Sequence, residues 1–196
     1  MADYCPAMRF GIFLFALLLP IAVQAQTPAA PKPASKPAKP LDDLFGQLKA
    51  AQTEQDATDI GGRIEKLFQQ SGSASIDLLM TRANVALAAS DNDTARKLVN
   101  AVTQVAPDYA EGWRTLAGMQ ASSGDDEGAM LSLGRTVTLN PRHFAAMMEL
   151  AQMFEGYGNK AGALKLYRKA LELNPHLDAA KFRIRALTRE VEGQGI

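Results

Sequence analysis

Cysteine, histidine and tryptophan are scarce in this sequence. The 196 residues include one cysteine, two histidines and one tryptophan. The cysteine, Cys5, precedes an apolar run typical of a leader, so disulfides, thiolate catalysis and cysteine-ligated zinc are not expected in the mature chain. Acidic and basic residues are equal in number, at 21 each. Without an excess of positive charge, nothing indicates nucleic-acid binding.

The motifs of the common enzyme classes are also missing. The chain has no H-E-x-x-H helix, no G-x-S-x-G elbow and no glycine-rich phosphate loop. The acidic segment SGDDEG at 123–128 resembles a calcium loop in composition. It lacks the alternating ligands and the twelfth-position glutamate, and its carboxylates suit a helix N-terminus instead. We therefore expect no catalytic residues, no metal site and no cofactor.

The first 25 residues have the pattern of a cleaved signal peptide. Arg9 precedes an apolar run over 10–23, and a small-x-small ending follows at 23–25. The run is shorter than the about 20 residues that span a membrane, and signal peptidase recognises such an ending. We expect cleavage after Ala25 and a periplasmic or secreted protein without an integral membrane span. An uncleaved anchor is the alternative, and Met8 is an alternative start.

Residues 26–40 read as a tether. The segment QTPAAPKPASKPAKP contains five prolines and three lysines and no large apolar side chain. Such a composition favours extended, semi-rigid conformations. The folded domain is therefore expected to begin at residue 41.

From residue 76 onward the chain repeats itself. Pro107, Pro141 and Pro175 are each 34 residues apart, which defines three units at 76–109, 110–143 and 144–177. Numbered within a unit, with proline at position 32, positions 8 and 20 are always alanine: Ala83, Ala117 and Ala151, then Ala95, Ala129 and Ala163. Apolar residues at positions 4, 7, 8 and 11 form one helical stripe, and those at 20, 24 and 27 form another. Each unit thus predicts two helices that approach closely at alanine and end before the proline.

The second unit, WRTLAGMQASSGDDEGAMLSLGRTVTLNP, resembles the tetratricopeptide repeat (TPR) family. The third unit agrees with the same pattern, whereas Arg82 at position 7 and Gln120 at position 11 depart from it. The resemblance implies an all-α solenoid of helical hairpins wound as a right-handed superhelix.

The flanks predict a capped array. Residues 41–75 are expected to form a helical hairpin, with Phe45, Gly61 and Phe68 at positions 4, 20 and 27 of a degenerate repeat. Residues 178–196 are expected to form a capping helix and tail. The side chains predicted to face inward from this helix are Ala180, Ile184, Leu187 and Val191.

The resemblance implies that a protein or peptide partner binds in a groove lined by the first helix of each repeat. The residues at the implied binding positions are Asp77, Met80, Asn84, Leu87, Glu111, Arg114, Met148, Glu149, Gln152 and Glu155. The bases that one subfamily uses to hold C-terminal carboxylates are absent, although Asn84 matches its asparagine. Arg114 is expected either to hold an acidic group of the partner or to pair with Glu111 or a neighbouring helix.

These features together predict a non-enzymatic periplasmic adaptor or scaffold in a bacterial cell-envelope process. A self-associating structural module, in which the protein is a homo-oligomer, is one alternative. An accessory subunit of an envelope assembly enzyme is another.

Two histidines lie in matching segments, LNPRHF at 139–144 and LNPHLD at 173–178. They suggest either a metal or acid–base site or a by-product of the repeat. Since His143 falls at position 34 and His176 at position 33, we interpret them as markers of repeat boundaries. On this interpretation, replacing both with asparagine is expected to leave the fold intact.

Overall fold

The computed structural model describes residues 38–193, with side chains from Pro40 onward, and this part of the chain contains helices and turns but no strand. The helices are α1 (Ala38–Ala50), α2 (Glu54–Phe68), α3 (Ala74–Ala88), α4 (Asn92–Val105), α5 (Ala110–Ser122), α6 (Asp126–Leu139), α7 (Phe144–Gly156), α8 (Lys160–Leu173) and α9 (Asp178–Val191). The predicted all-α solenoid is confirmed. The predicted signal peptide and most of the tether lie outside the described residues.

The helices of residues 38–193 are 13 to 15 residues long. None of these helices combines the length and the hydropathy that a membrane span requires.

The second helix of each repeat begins at an equivalent capping residue. At position 16, the side-chain oxygens of Asp91, Asp125 and Asn159 accept the backbone N–H three residues later, at 2.9–3.1 Å. Such caps satisfy donors that a helix N-terminus leaves free. The turn before each cap requires a left-handed residue, which is Ser90, Gly124 or Gly158 at φ of 61°, 80° and 79°. The acidic segment at 123–128 therefore forms a helix cap.

Alanine at positions 8 and 20 holds the two helices of each hairpin together. All six of these alanines are buried, and the pairs α3–α4, α5–α6 and α7–α8 pack along their lengths. Each hairpin also packs on the next through α4–α5, α6–α7 and α8–α9. The second helices end at Val105, Leu139 and Leu173, two residues before each repeat proline.

The N-terminal hairpin is placed differently from the three repeats. In a continuing array α2 would pack along α3, as α4 packs along α5, but α2 and α3 are not among the closely packed helix pairs of residues 38–193. The apolar side chains of α1 and α2 instead join a cluster with Phe144, Met147 and Ala170, from the third repeat. The hairpin thus lies on the side of the array and not at its end.

The capping helix α9 covers the last repeat. Ala180 and Leu187 are buried against Tyr167, with Ile184 packed beside them. Val191, which was predicted to face inward, is 40% exposed. It is the last residue of α9 and is not among the side chains that pack with Tyr167.

Candidate functional site

The N-terminal hairpin sits on the connectors between repeats. Phe45 meets the ring of Phe144 edge-on, with centroids 6.4 Å apart, and Phe68 lies 4.8 Å from the ring of His143. Phe45 and Phe68 also contact each other, at 6.5 Å. We call this docking position, formed by Tyr109, Arg142, His143, Phe144 and His176, the edge seat.

Polar contacts hold the hairpin at both ends of the edge seat. Tyr109 donates its hydroxyl to the Gln69 carbonyl at 2.6 Å, and the His176 Nε2 lies 3.0 Å from the Leu48 carbonyl. The Arg142 guanidinium pairs with Asp42 and stacks 4.0 Å above the Phe45 ring. These groups come from three successive connectors, so the hairpin bridges all three repeats.

Beneath Phe68 lies a charged network that joins α5 to α7. Glu111 Oε2 accepts from His143 Nε2 at 3.0 Å, and Glu111 Oε1 lies 3.2 Å from Arg114 Nη1. Arg114 also donates to Glu149 Oε1 from two nitrogens, at 2.6 and 3.1 Å. Arg114 therefore pairs with Glu111 and with the neighbouring helix, which was one of the two expectations.

The hydrogen bonds of His143 define its protonation state. Its side chain is 1% exposed, and Nδ1 accepts the backbone N–H of Ala146 at 3.3 Å, which caps α7. Because Nδ1 accepts, the ring proton is on Nε2, where it is donated to Glu111. His143 is thus a neutral structural link among Phe68, Glu111 and α7. His176 hydrogen-bonds to the Leu48 carbonyl instead. The two histidines therefore do not form one site.

The network sets the ionisation of both its central groups. Burial alone would raise the pKa of Glu111, but the hydrogen bond from His143 and the charge of Arg114 outweigh it and lower the pKa below its ordinary value. Burial alone would lower the pKa of Arg114, but Glu149, Glu111 and the nearby charge of Glu65 on α2 outweigh it and raise the pKa. Both groups are charged at neutral pH.

Glu111→Gln should flatten the pH dependence of stability below pH 5. Because the folded pKa of Glu111 lies below its unfolded value, its contribution is complete above the unfolded pKa of about 4.3 and is lost as pH falls through the folded pKa. Urea unfolding of both proteins between about pH 3 and pH 7 measures this. Curves for wild type and variant that run parallel over the whole range would contradict it. Glu127→Gln, on the exposed surface of α6, is the matched control.

Three of the predicted binding residues make contacts within the protein. Met80 is buried with Ile76, Val102 and Tyr109, inside its own repeat and not in the groove. Glu111 is buried in the charged network. Met148 is half-buried and packs on the cluster that α1 and α2 form. Met80 and Glu111 are therefore buried and not exposed in a groove, whereas the binding role of Met148 stays a prediction.

Of the other predicted binding residues, some make contacts within the protein and the rest lie on an open surface. Asp77 Oδ1 accepts the Ser71 backbone N–H at 2.8 Å. Glu155 is half-buried, accepts from the Tyr167 hydroxyl at 3.2 Å and pairs with Arg183. Asn84 and Gln152 are exposed, while Leu87 and Glu149 line depressions in the surface.

The surface that remains open lies over the later turns of the first helices. One depression lies beside α3 and α5 and another, of about 490 Å³, beside α5 and α7. We call this surface the open groove, and its central residues are Leu87, Thr115, Gly118, Ala121, Glu149 and Gln152. Gly118 and Ala121 give it a floor without large side chains, on which a partner backbone can approach closely.

One exposed aromatic residue at a groove position was not predicted from the sequence. Phe182, on α9, is 66% exposed. When the repeat frame is continued into α9, Phe182 falls at position 5, the groove position that Arg114 and Met148 occupy. The 34-residue frame in the sequence already indicates this position, but the sequence prediction assigned α9 only a capping role.

In residues 38–193 no three His, Cys, Asp or Glu side chains converge as metal ligands would.

Comparison with known proteins supports the repeat frame. The profile of the tetratricopeptide repeat matches residues 80–138 and 131–178, which together span half of the chain. A TPR repeat-containing protein of Rhizobium etli is 34% identical over 113 residues. That match covers 58% of this chain and 55% of the relative, so the chain spans about half the length of this curated relative.

Solved structures resemble the same region in fold. The type III secretion chaperone SycD of Yersinia enterocolitica, in complex with a peptide of the translocator YopD, aligns with a TM-score of 0.52 and 15% identity. That alignment covers 61% of this chain and 94% of SycD. The Sgt2 TPR domain of Aspergillus fumigatus aligns with a TM-score of 0.52 and 22% identity, over 61% and 81% of the two chains. At these identities the likeness shows the fold alone.

Proposed function

The chain belongs to the tetratricopeptide-repeat family, and we propose that it is a non-enzymatic adaptor that holds a protein or peptide partner in the open groove. The observation that carries this proposal is the open groove itself. A further depression, lined by Gln152, Gly156, Ala179 and Arg183, continues the groove to α9, the helix on which Phe182 is 66% exposed. An exposed aromatic ring beside such a groove is typical of a binding anchor.

The chemistry of the open groove favours a segment with apolar side chains and hydrogen-bonding backbone. Leu87 and Phe182 offer apolar contact, whereas Asn84, Thr115 and Gln152 offer hydrogen bonds. Most of the charged groups beside it are held in ion pairs, since Arg114 pairs with Glu111 and Glu149 and Arg183 pairs with Glu155. The proposed partner is therefore not selected mainly by charge. A peptide of the translocator YopD is bound by the similarly folded SycD, which supports a peptide as ligand.

The proposal includes a place for this activity. The apolar run and the small-x-small ending at 23–25 favour export, and the proline-rich segment that follows favours a tether. We propose that the adaptor works in the periplasm, in a cell-envelope process. Fractionation of cells that express the full chain, with N-terminal sequencing of the mature protein, tests both the compartment and cleavage after Ala25.

Photo-crosslinking in cells tests the groove. A crosslinking amino acid at Asn84, Gly118 or Gln152, all exposed in the open groove, should capture one specific protein. The matched positions are Lys97, Leu131 and Lys165, which are exposed at position 22 of the three second helices. Phe182→Ala should reduce groove capture at least tenfold, the loss of roughly 1.4 kcal/mol that one anchor represents.

Capture from position 22 with none from the groove would refute this use of the groove. Capture that Phe182→Ala leaves unchanged would remove Phe182 from the site.

A further inference from the structure

Position 21, on the second helix of each repeat, carries a different kind of residue in the first repeat. In the second and third repeats this position is Met130, on α6, and Leu164, on α8. Leu164 is buried in the cluster that joins α8 to Leu187 of α9, and Met130 packs on the cluster that joins α6 to α7. In the first repeat the same position is Arg96, on α4. A charged side chain therefore lies where the other two repeats pack an apolar one against the next helix.

Arg96 is half-buried and lines a depression of the open groove. The depression has a volume of about 390 Å³ and is formed by residues of α3, α4 and α5 together with the turn after α5. Leu87 and Met119 contribute apolar lining. Gly118 belongs both to this depression and to the one beside α7. A segment that lies in the open groove therefore passes within reach of Arg96.

The guanidinium of Arg96 has no partner within the protein, as far as residues 40–193 show. It makes neither an ion pair nor a hydrogen bond with any of their side chains. The other guanidinium groups beside the groove, those of Arg114 and Arg183, are paired with glutamates. Partial burial of a charged group without a partner costs free energy. A carboxylate of a ligand in this depression would offset that cost.

The remaining polar groups of the depression divide between its two sides. On the side of α4, the exposed Asn92 carries a side-chain amide that can donate hydrogen bonds. On the side of α5, the hydroxyls of Thr115 and Ser122 donate to the carbonyls of Glu111 and Gly118. Their oxygens are left to accept hydrogen bonds. The α4 side thus suits a carboxylate, whereas the α5 side suits the N–H groups of a peptide backbone.

We propose that Arg96 binds the side-chain carboxylate of an aspartate or glutamate in the segment that the open groove holds. This inference rests on the proposed function, and it adds one charged contact to recognition that is otherwise apolar and hydrogen-bonded. The partner backbone lies over Gly118 and Ala121 and turns its acidic side chain towards α4. There the planar guanidinium donates to both carboxylate oxygens. The acidic residue lies at the α3–α5 end of the groove, and Phe182 is at the other end.

Selection from a random peptide library displayed on phage tests this contact. The targets are the full chain, its Arg96→Met variant and its Lys97→Met variant. Methionine is the residue that the second repeat has at position 21, Met130, so Arg96→Met is expected to keep the fold, which urea unfolding checks. Lys97 is the adjacent, exposed residue of α4 and is the matched control for the loss of one positive charge. Peptides fused to the phage coat through their carboxyl ends can present only side-chain carboxylates.

The selected peptides should depend on Arg96. Those retained by the full chain and by Lys97→Met should share an aspartate or glutamate at one aligned position, and those retained by Arg96→Met should not. Replacing that acid with its amide in a synthetic, C-terminally amidated peptide should weaken binding to the full chain at least about tenfold. The same replacement should change binding to Arg96→Met by less than about twofold, because the charge that the acid contacts is already absent.

Crosslinking from Asn84, which is exposed on α3 one turn before Leu87, shows whether the peptides occupy the groove. Peptides that crosslink there but share no acid would overturn the inference and leave the proposed function in place. Amide replacement that weakens binding to the full chain and to Arg96→Met equally would do the same. If no selected peptide crosslinks from Asn84, the proposed function is refuted, and this inference with it.

Discussion

Phe68→Ala is expected to lower the free energy of unfolding of the N-terminal hairpin by about 3–5 kcal/mol. The Phe68 side chain is buried and contacts both the Phe45 ring within the hairpin and the His143 ring beneath it. Its removal takes away the largest contact that α2 makes with the connectors and leaves a cavity there. Hydrogen exchange should therefore show a loss of protection in α1 and α2 first.

Phe182→Ala is the matched control for this experiment. The same substitution removes the same ring, but Phe182 is 66% exposed, so the expected change in stability is within about 0.5 kcal/mol. Equal losses in the two variants would contradict the docking of the hairpin through Phe68. So would unchanged amide protection of α1 and α2 in Phe68→Ala.

The three repeats were predictable because their signals are local. Three signals recur in each unit: proline at intervals of 34 residues, alanine at positions 8 and 20, and a turn near position 15. Each of them reflects contacts within one hairpin or with the next hairpin. The 3.6-residue period decides which side chains share a face. The structure confirms the all-α solenoid that these signals predict, including the burial of all six alanines.

The place of the N-terminal hairpin was not predictable in the same way. The stripes that contain Leu44, Phe45, Ile64 and Phe68 show that this hairpin must bury a face, but an apolar stripe does not specify which surface covers it. Thr53 caps α2 as Asp91 caps α4, so the hairpin lies four residues earlier in the repeat frame than the sequence predicts. Its contacts are with Arg142, Phe144 and His176. These contacts join residues about a hundred positions apart, and no local pattern in the sequence encodes them.

The binding positions were inferred from the repeat frame alone. This explains why some of the predicted side chains contact other parts of the protein instead of lying open to a partner. Position 5 is Met80, Arg114 and Met148 in the three repeats, yet these side chains are buried in a core, held in ion pairs and packed beside the hairpin. The frame gives the direction of a side chain but not its neighbours. Gln152 is exposed, whereas Met148, one turn earlier on α7, packs on the hairpin cluster.

His143→Asn is expected to lower the free energy of unfolding by about 2–3 kcal/mol, although the sequence alone predicts that asparagine is tolerated there. Asparagine can still cap α7. It cannot replace the hydrogen bond that Nε2 donates to Glu111 at 3.0 Å, a bond to a charged group worth about 1.5–3 kcal/mol, or the contact with the Phe68 ring. The carboxylate is then left buried without one of its partners. Urea unfolding at pH 7 measures the loss.

His176→Asn separates this effect from the general loss of a histidine. His176 is half-buried and bonds the Leu48 carbonyl, a neutral contact expected to be worth about 0.5–1.5 kcal/mol. Combining His143→Asn with Glu111→Gln should cost at least about 0.5 kcal/mol less than the sum of the single changes, because both remove the same hydrogen bond. Additive losses, or equal losses for the two histidines, would contradict the link between His143 and Glu111. The sequence interpretation treats both histidines as boundary markers, whereas in the structure His143 contacts Phe68 of the hairpin, Glu111 of α5 and the first turn of α7.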